Sequence, residues 1–573
     1  MTVNKKDVIK LLERIALYLE LKGDNPYKIS AYQKAAQALE RDDRSIADID
    51  DVTKIKGIGK GTGAVIAAYI ENGTSETLTE LEKEIPEGLL PLLNVPGLGG
   101  KKLSKIYHKL EVTDADSLKQ ACENGQIESL EGFGKKSAEK IIAALDEVNK
   151  RPERLPIAYM LPLAERVEQY LDTIHDISDY SRAGSLRRFR ETVRDIDFII
   201  ASEHPASVRD QLLELDRIKE VIANGETKVS LVLADAYDVN VDFRIVAPEE
   251  FATTLHHFTG SKDHNVAMRQ LAKSNGEKIN EYGVESEESG DVVTFVSEEQ
   301  LFRHLGLHYI PPELRENTGE VESFHESVSL LEQRDILGDL HMHTTWSDGG
   351  QSIEEMVNRA RNKQYHHIAI TDHSKFLRVA NGLNETRLRR QREEINRLND
   401  KYDDIHIFAG VEMDILPDGS LDFDDAFLQE MDFVIGAIHS SFQQSQDEIM
   451  NRLFAALENP NVSLIAHPTG RLIGRRQGYH VDIDRLIERA AETGTALEIN
   501  ANPNRLDLSS QWTRRAQEAG TKIAINTDAH DYDMLDHMTY GVSTARKGWL
   551  NKETVLNTWS VEKLKAFMNR DGR

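Results

Sequence analysis

The hydrophobic pattern along the chain changes character twice. The N-terminal stretch MTVNKKDVIKLLERIALYLELKGD is amphipathic at helical spacing, and a helical pattern persists to about residue 150. It is interrupted by a repeated turn in which hydrophobic residues alternate with glycine: Ile55-Lys56-Gly57-Ile58-Gly59, Val95-Pro96-Gly97-Leu98-Gly99 and Leu130-Glu131-Gly132-Phe133-Gly134. From about 153 to 317 the pattern becomes mixed α/β, with predicted strands over 193–200 and 239–246. The stretch 313–335 carries no clear strand signal, and 318–335 within it is the expected linker. From about 336, short apolar strands alternate with longer helical stretches, the pattern of an α/β barrel.

Each glycine turn is followed by lysine: Lys60; Lys101 and Lys102; Lys135 and Lys136. Glycine lets the backbone reach positive φ and approach a ligand closely, and amides exposed at the next helix start accept a phosphate. The repeat resembles the helix-hairpin-helix motif, which grips the DNA backbone without reading sequence. Gly57, Gly59, Gly97, Gly99, Gly132 and Gly134 are its candidate DNA contacts. For any single copy a glycine helix cap beside solvated lysines is the better reading; three spaced copies favour DNA binding.

With 573 residues the chain exceeds one ordinary domain. No apolar run approaches the length of a membrane span, no signal-peptide pattern is present, and the single cysteine, Cys122, excludes an internal disulfide framework and a thiolate metal cluster. A cytoplasmic protein without membrane contact is expected. The formal charge of −27 argues against nonspecific coating of nucleic acid. It leaves room for a nucleic-acid enzyme, because metal-holding carboxylates add negative charge and a basic groove can coexist with an acidic exterior.

In Asp195-Ile196-Asp197, strand alternation points both carboxylates to one face. A second strand supplies Asp242. Three converging carboxylates repel one another unless divalent cations neutralise them, and two ions roughly 4 Å apart can activate a 3′-hydroxyl and stabilise departing pyrophosphate. Upstream, Gly184-Ser185-Leu186-Arg187-Arg188 offers amides, a hydroxyl and guanidinium groups to a triphosphate. With Phe258-Thr259-Gly260-Ser261, Asn265, Arg269 and Asn280-Glu281-Tyr282, this order resembles family X DNA polymerases. The resemblance implies that Asp195, Asp197 and Asp242 hold Mg or Mn. It implies that Gly184, Ser185 and Arg188 meet the incoming triphosphate, Phe258 and Gly260 border the sugar, Asn265 the base edge, and Arg269 the template. Tyr27, Lys28, Tyr32 and Lys34 resemble the family's pocket for the 5′-phosphate of a gap, with Lys28 and Tyr32 as DNA contacts. Two positions depart from the family: His257 replaces a tyrosine before the phenylalanine, and Val65 stands where the lyase lysine would, leaving Lys60 as a weak substitute for Schiff-base chemistry.

In the C-terminal region, seven apolar segments stop on polar residues: Leu340-His341-Met342-His343, Ile370-Thr371-Asp372-His373, Ala409-Gly410-Val411-Glu412, Ala437-Ile438-His439, Ile465-Ala466-His467, Leu497-Glu498-Ile499-Asn500 and Asn526-Thr527-Asp528-Ala529-His530. Strand C-termini of a barrel converge on one face, and mixed imidazole and carboxylate sets suit Zn, Mn or Fe. With Ser347-Asp348-Gly349, the order is similar to the PHP (polymerase and histidinol phosphatase) family. That resemblance implies about three Mn or Zn ions: His341, His343, Glu412 and Asp528 around one, with Asp348, His373, His439, His467 and His530 completing the others. Asp372, Glu498 and Asn500 are expected behind them, orienting ligand imidazoles. Arg378, Arg387, Arg471, Arg475 and Arg476 are candidates for substrate phosphates.

The expected architecture is therefore multidomain. A lyase-like, 5′-phosphate-binding helical domain covers 1–80, fingers with helix-hairpin-helix 81–152, an α/β nucleotidyltransferase palm 153–250, a thumb 251–317, the linker 318–335, and a (β/α)7 distorted TIM-like PHP barrel 336–573. The resemblance implies DNA-directed DNA polymerase and 3′-5′ exonuclease activities on gapped or primed DNA with dNTPs; the sequence does not reveal the oligomeric state, and a monomer is the expectation. A different class of reading is a DNA-end-binding protein whose barrel hydrolyses small phosphate esters.

Overall fold

The computed structural model describes residues 5–569 apart from 41, 43–45, 47–48, 50, 96–97, 131–132, 135–137 and 143–151. The N-terminal region is helical. Its helices include Lys5–Lys22, Pro26–Glu40, Lys60–Asn72, Glu76–Glu84, Gly100–Leu110 and Ala115–Glu123. One hydrophobic cluster runs through all of them, from Val8 and Leu12 to Phe133 and Ile141. The two helical segments read from the sequence thus share a core, because each amphipathic helix has one apolar stripe to bury and the neighbouring stripe is the nearest cover.

The next unit is a five-stranded sheet in the order Asp179–Arg182, Ile196–Ala201, Val239–Val246, Lys228–Leu233, Ile218–Asn224. Its central pair, Ile196–Ala201 with Val239–Val246, is parallel; the other pairings are antiparallel. The strand expected over 193–200 is broken: Thr192–Val193 pairs with Leu155–Pro156, and Ile196–Ala201 resumes after a bend. Helices Phe251–Thr259, Lys262–Ser274 and Glu298–His304 and a three-stranded antiparallel sheet follow. The stretch 318–335 is anchored at a few buried residues between exposed ones. Val321 and Phe324 join the core of this helical unit, and Leu331 joins the core of the barrel. A strand-poor sequence concealed those anchors because short buried apolar pairs carry no periodicity.

The C-terminal unit is a seven-stranded, all-parallel sheet taken in chain order. Its strands are Gly338–Asp339, His367–Ile370, His406–Asp414, Phe433–Ala437, Leu464–Ile465, Ala496–Asn500 and Ile523–Asn526. A parallel bridge between Met342 and Ala529, with His343 N donating to Ala529 O at 2.8 Å, joins the first strand's end to the last's and closes the barrel. Strand alternation divides the side chains between two cores. Ala369, Phe433, Ile435 and Ala437 fill the interior, while Ile368, Ile370 and Val434 pack against the outer helices. Trp559 and Leu564 of the C-terminal segment join the interior cluster. Trp559 lies beside His366 and His406 at the strands' N-terminal ends, which leaves the opposite mouth for ligands. No helix among the described residues is long and apolar enough to cross a membrane.

Candidate active sites

In the sheet unit, register decides the first site. Asp197 and Asp242 are direct partners on the parallel central strands. Asp195 stands in the bend just ahead of Ile196, so its placement comes from that bend and not from unbroken strand alternation. Burial, followed by the charges of Asp195 and Asp242, pushes the Asp197 carboxyl up to about 7, while Lys228 and Arg194 oppose the shift. Arg194 Nε lies 3.1 Å from Asp195 Oδ2 and Lys228 Nζ 3.5 Å from Asp242 Oδ2. The three oxygen sets are looser than the barrel clusters described below, whose donor atoms lie within 4.8 Å of one another. The raised Asp197 carboxyl and two cationic side chains here stand where divalent charge belongs, and the donor set of hard oxygens fits Mg or Mn.

Gly184, at φ 60°, begins the short helix Gly184–Arg187 directly against Asp197. Arg188 Nε lies 3.1 Å from Glu316 Oε1, and its Nη1 donates to Thr259 O at 2.8 Å. This guanidinium therefore faces a carboxylate from beyond the sheet. Ser185 O accepts from Arg190 N. Gly260 leaves no room for a side chain against Asn265 and His264, and Asn265 Nδ2 donates to His257 O at 2.7 Å. Arg244 lies over the Phe258 ring, 4.4 Å from its centroid. His257 meets the same ring edge-on, and burial lowers its pKa, favouring neutral imidazole. Arg269 is exposed.

In the helical region, Gly57 has φ 116° and packs on Ala38, as a tight turn requires. Gly59 and Gly99 differ from the expectation of positive φ. Both are extended N-caps, of Lys60–Asn72 and Gly100–Leu110, with open space before them. What these positions offer is an extended helix start and not a left-handed backbone, and at Gly59 the amide itself donates to Thr62 Oγ1 at 3.1 Å. Gly134 is likewise open, while Gly97, Gly132, Lys135 and Lys136 lie outside the described residues. Lys28 and Lys34 are exposed, Tyr27 is 87% exposed, and Tyr32 is buried. Val65 packs against the helical core, and Lys60 is exposed.

The second site sits at the barrel mouth. His341 and His343 follow the first strand and Asp528 and His530 the last, so the closing bridge brings both pairs together. Three donor groups form: His341, His343, Glu412 and Asp528; His343, Asp348, His373 and His530; and His373, Glu412 and His439. His467 lies outside these groups, with its Nε2 3.0 Å from Glu412 Oε1. Each pair of groups shares one residue, His343, His373 or Glu412, and Glu412 is the carboxylate among the three. Its Oε2 has nitrogens of His373, His341 and His343 at 2.8, 3.5 and 3.5 Å, yet it accepts no hydrogen bond among the described residues. His341 Nε2 and His343 Nε2 also face each other at 3.3 Å. A buried carboxylate oxygen left unpartnered among three imidazoles, beside two imidazole nitrogens that face each other, fits a cation cluster.

The electrostatics agree. Burial alone would lower the His341 pKa, but Glu498, Glu412 and Asp528 hold it well above the usual imidazole range. Burial likewise opposes the His439 shift, yet Glu412 and Asp414 push it up to about 10. Protons here provide the positive charge that metal ions would replace.

Glu498 Oε1 accepts from His341 Nδ1 at 2.7 Å, and Asn500 Nδ2 donates to Asp528 Oδ2 at 3.0 Å. Asp372 differs from expectation: it binds Thr344, Gln391 and Ser347, and so anchors the segment before Asp348 instead of an imidazole. Asp414, whose Oδ1 lies 3.2 Å from His439 Nδ1, was missed in the sequence. Its spacing two residues beyond Glu412 was the available signal. Arg387 bonds to Asn381 and Gly382 carbonyls, and Arg471 to backbone and Glu191. Arg475 is exposed, and Arg476 donates to Gly470 O.

Family models match this chain along most of its length: a helix-hairpin-helix domain at 3–75, a SAM-like helix-hairpin-helix tandem at 89–147, a DNA polymerase beta thumb at 254–316 and a PHP domain at 339–502. The chain is 57% identical to the DNA polymerase/3′-5′ exonuclease PolX of Bacillus subtilis, over 99% of this chain and 100% of that one. The chain belongs to the PolX family. Its fold class is accordingly that of PolX: helix-hairpin-helix regions, a nucleotidyltransferase unit with thumb, and a PHP barrel. As a PolX member it is a DNA polymerase and 3′-5′ exonuclease, and its two enzymatic domains imply divalent metals. Rat DNA polymerase lambda is 23% identical over 54% of the chain and 56% of its own length. A probable phosphatase of Thermoanaerobacter sp. is 28% identical over 41% of the chain and 95% of its own length.

Proposed function

We propose that this PolX fills short gaps in DNA during repair, at Asp195, Asp197 and Asp242, and that its barrel trims or cleans the 3′ end being extended. The observation that carries the reading is the presence in one chain of the register-paired Asp197 and Asp242 and the nine-residue barrel cluster. Divalent cations, Mg or Mn at the aspartates and about three Mn or Zn ions in the barrel, would supply Lewis acidity for the attacking oxygen and charge for the leaving one. His341, His343, Asp348, His373, Glu412, His439, His467, Asp528 and His530 would hold the barrel ions.

The chain's own residues do the rest. Gly184 and Ser185 open their turn towards the triphosphate, and Arg188 exchanges Glu316 for phosphate. Phe258, Gly260 and the neutral His257 border the sugar, Asn265 faces the base edge, and Arg269 takes the template strand. Gly57, Gly59, Gly97, Gly99, Gly132 and Gly134 grip backbone phosphates, with Lys28 and Tyr32 at a 5′-phosphate. A valine at 65 has no amine for a Schiff base, so end binding without lyase chemistry at that position follows. The domain limits given above, a cytoplasmic location and a monomer belong to the same proposal.

One incubation tests it: a gapped, 5′-phosphorylated duplex with Mn and dNTPs. Wild type should extend and degrade; Asp195→Ala should only degrade; His341→Ala/His343→Ala should only extend. Joint loss in either variant refutes separate sites. The phosphatase relatives of the barrel favour a second reading, hydrolysis of small phosphate monoesters. Faster turnover of a chromogenic monoester than of a recessed DNA end would select it.

A further inference from the structure

The barrel loop 470–477 leaves three residues after His467 and ends against the sheet unit. Ile473 of this loop and Leu506 of the turn 502–507 belong to the hydrophobic cluster of that unit, with Val193 and Ile196. Arg471 joins the pieces. Its Nε donates to Arg505 O at 3.0 Å and its Nη2 to Leu506 O. Its two terminal nitrogens also meet Glu191 Oε1 and Oε2 at 2.7 and 3.1 Å. This is a bidentate carboxylate fork, which fixes orientation as well as charge. Glu191 comes from the sheet unit, four residues before Asp195.

The turn held by Arg471 is tied at its other side to the metal cluster. Asn500 N donates to Asp507 O at 2.6 Å, Thr469 N to Asp507 Oδ2 at 3.0 Å and Ile473 N to Asn504 O at 2.7 Å. Asn500 reaches Asp528 directly, and Arg505 Nε stands 3.9 Å from Asp528 Oδ2. Leu506 sits at φ 44°, a conformation costly for a side chain with a Cβ, so the turn depends on outside restraint.

We propose that Glu191 is a positioning residue for the barrel's nuclease reaction: it holds Arg471 and, through it, the turn 502–507 over the metal cluster. A domain devoted to synthesis thereby contributes one side chain to degradation. The proposal rests on the nuclease reading of the barrel.

Glu191→Gln and Glu191→Asp in the full chain test it with two readouts. In metal-free protein, amide exchange over 502–508 should rise in Glu191→Gln and return towards wild type in Glu191→Asp. With Mn, kcat for removal of a 3′-terminal nucleotide should fall roughly 10-fold in Glu191→Gln, as for residues behind metal ligands, with KM for DNA unchanged and partial recovery in Glu191→Asp. Gap filling should be the same in all three proteins. Unchanged exchange, or raised exchange with unchanged kcat, overturns the proposal. So does a faster reaction with lower KM, which would mean that Glu191 competes with DNA phosphate for Arg471. A wild type without nuclease activity would instead refute the nuclease reading, and the exchange measurement alone would then decide whether Glu191 holds the turn.

Discussion

Gly184 faces the carboxylate of Asp197 so closely that a β-carbon at 184 would collide with Asp197 Oδ2. The contact explains the glycine better than its backbone does, although φ 60° also favours it. Gly184→Ala should displace Asp197 and reduce primer extension by about 100-fold or more, on the scale of losing a pre-positioned catalytic group. Degradation of recessed 3′ ends should persist. Extension within a few-fold of wild type would show that the turn yields.

Asp197 makes stability depend on pH when divalent ions are chelated. Its folded carboxyl keeps a proton up to about 7, whereas the unfolded chain releases it near pH 4. The native state binds more protons between those values, so stability falls as pH rises through the window. Thermal unfolding from pH 5 to 8 in chelator should therefore show a falling midpoint, flatter in Asp197→Asn. Added Mn should raise the wild-type midpoint at pH 8 by mass action on the folded state.

Glu498→Ala removes the carboxylate behind His341. It should weaken Mn binding by about 10–100-fold and slow nuclease action similarly, with gap filling spared. Calorimetric titration of Mn, with both activities assayed, checks this.

Asp414→Asn should do the same at His439, the imidazole it contacts. Because Asp414 helps to raise the His439 pKa, the variant should also bind Mn with less pH dependence between 6 and 9. An identical pH profile would assign Asp414 to packing.

Cys122 is buried, and burial pushes its thiol up to about 11. Native protein at pH 8 should resist iodoacetamide and label fully in denaturant, since the thiolate is the reactive form. Labelling of native protein at the rate of a free thiol would contradict this.

Much of the chemistry was legible before folding. Metal ligands need particular side chains at strand ends, and apolar runs ending at His343, His373, Glu412, His439, His467 and Asp528 are local signals. Asp414 escaped because its partner, His439, belongs to the next strand. Asp372 misled because its neighbours Thr344, Ser347 and Gln391 come from elsewhere in the chain. Gly59 and Gly99 read as left-handed turns from composition, while their surroundings made them extended caps.

The sequence by itself determined the residue types of both centres, the alternation of strands and helices in the barrel, and the helical character of the first region, since periodicity and donor chemistry are properties of short segments. Only the tertiary structure decided that Asp195 sits in a bend ahead of Asp197, that Arg188 meets Glu316, and that Glu191 grips Arg471. Those pairings depend on where distant segments dock, and the burial that drives docking is roughly proportional to area and indifferent to direction; the specific contacts emerge only once the surfaces have closed.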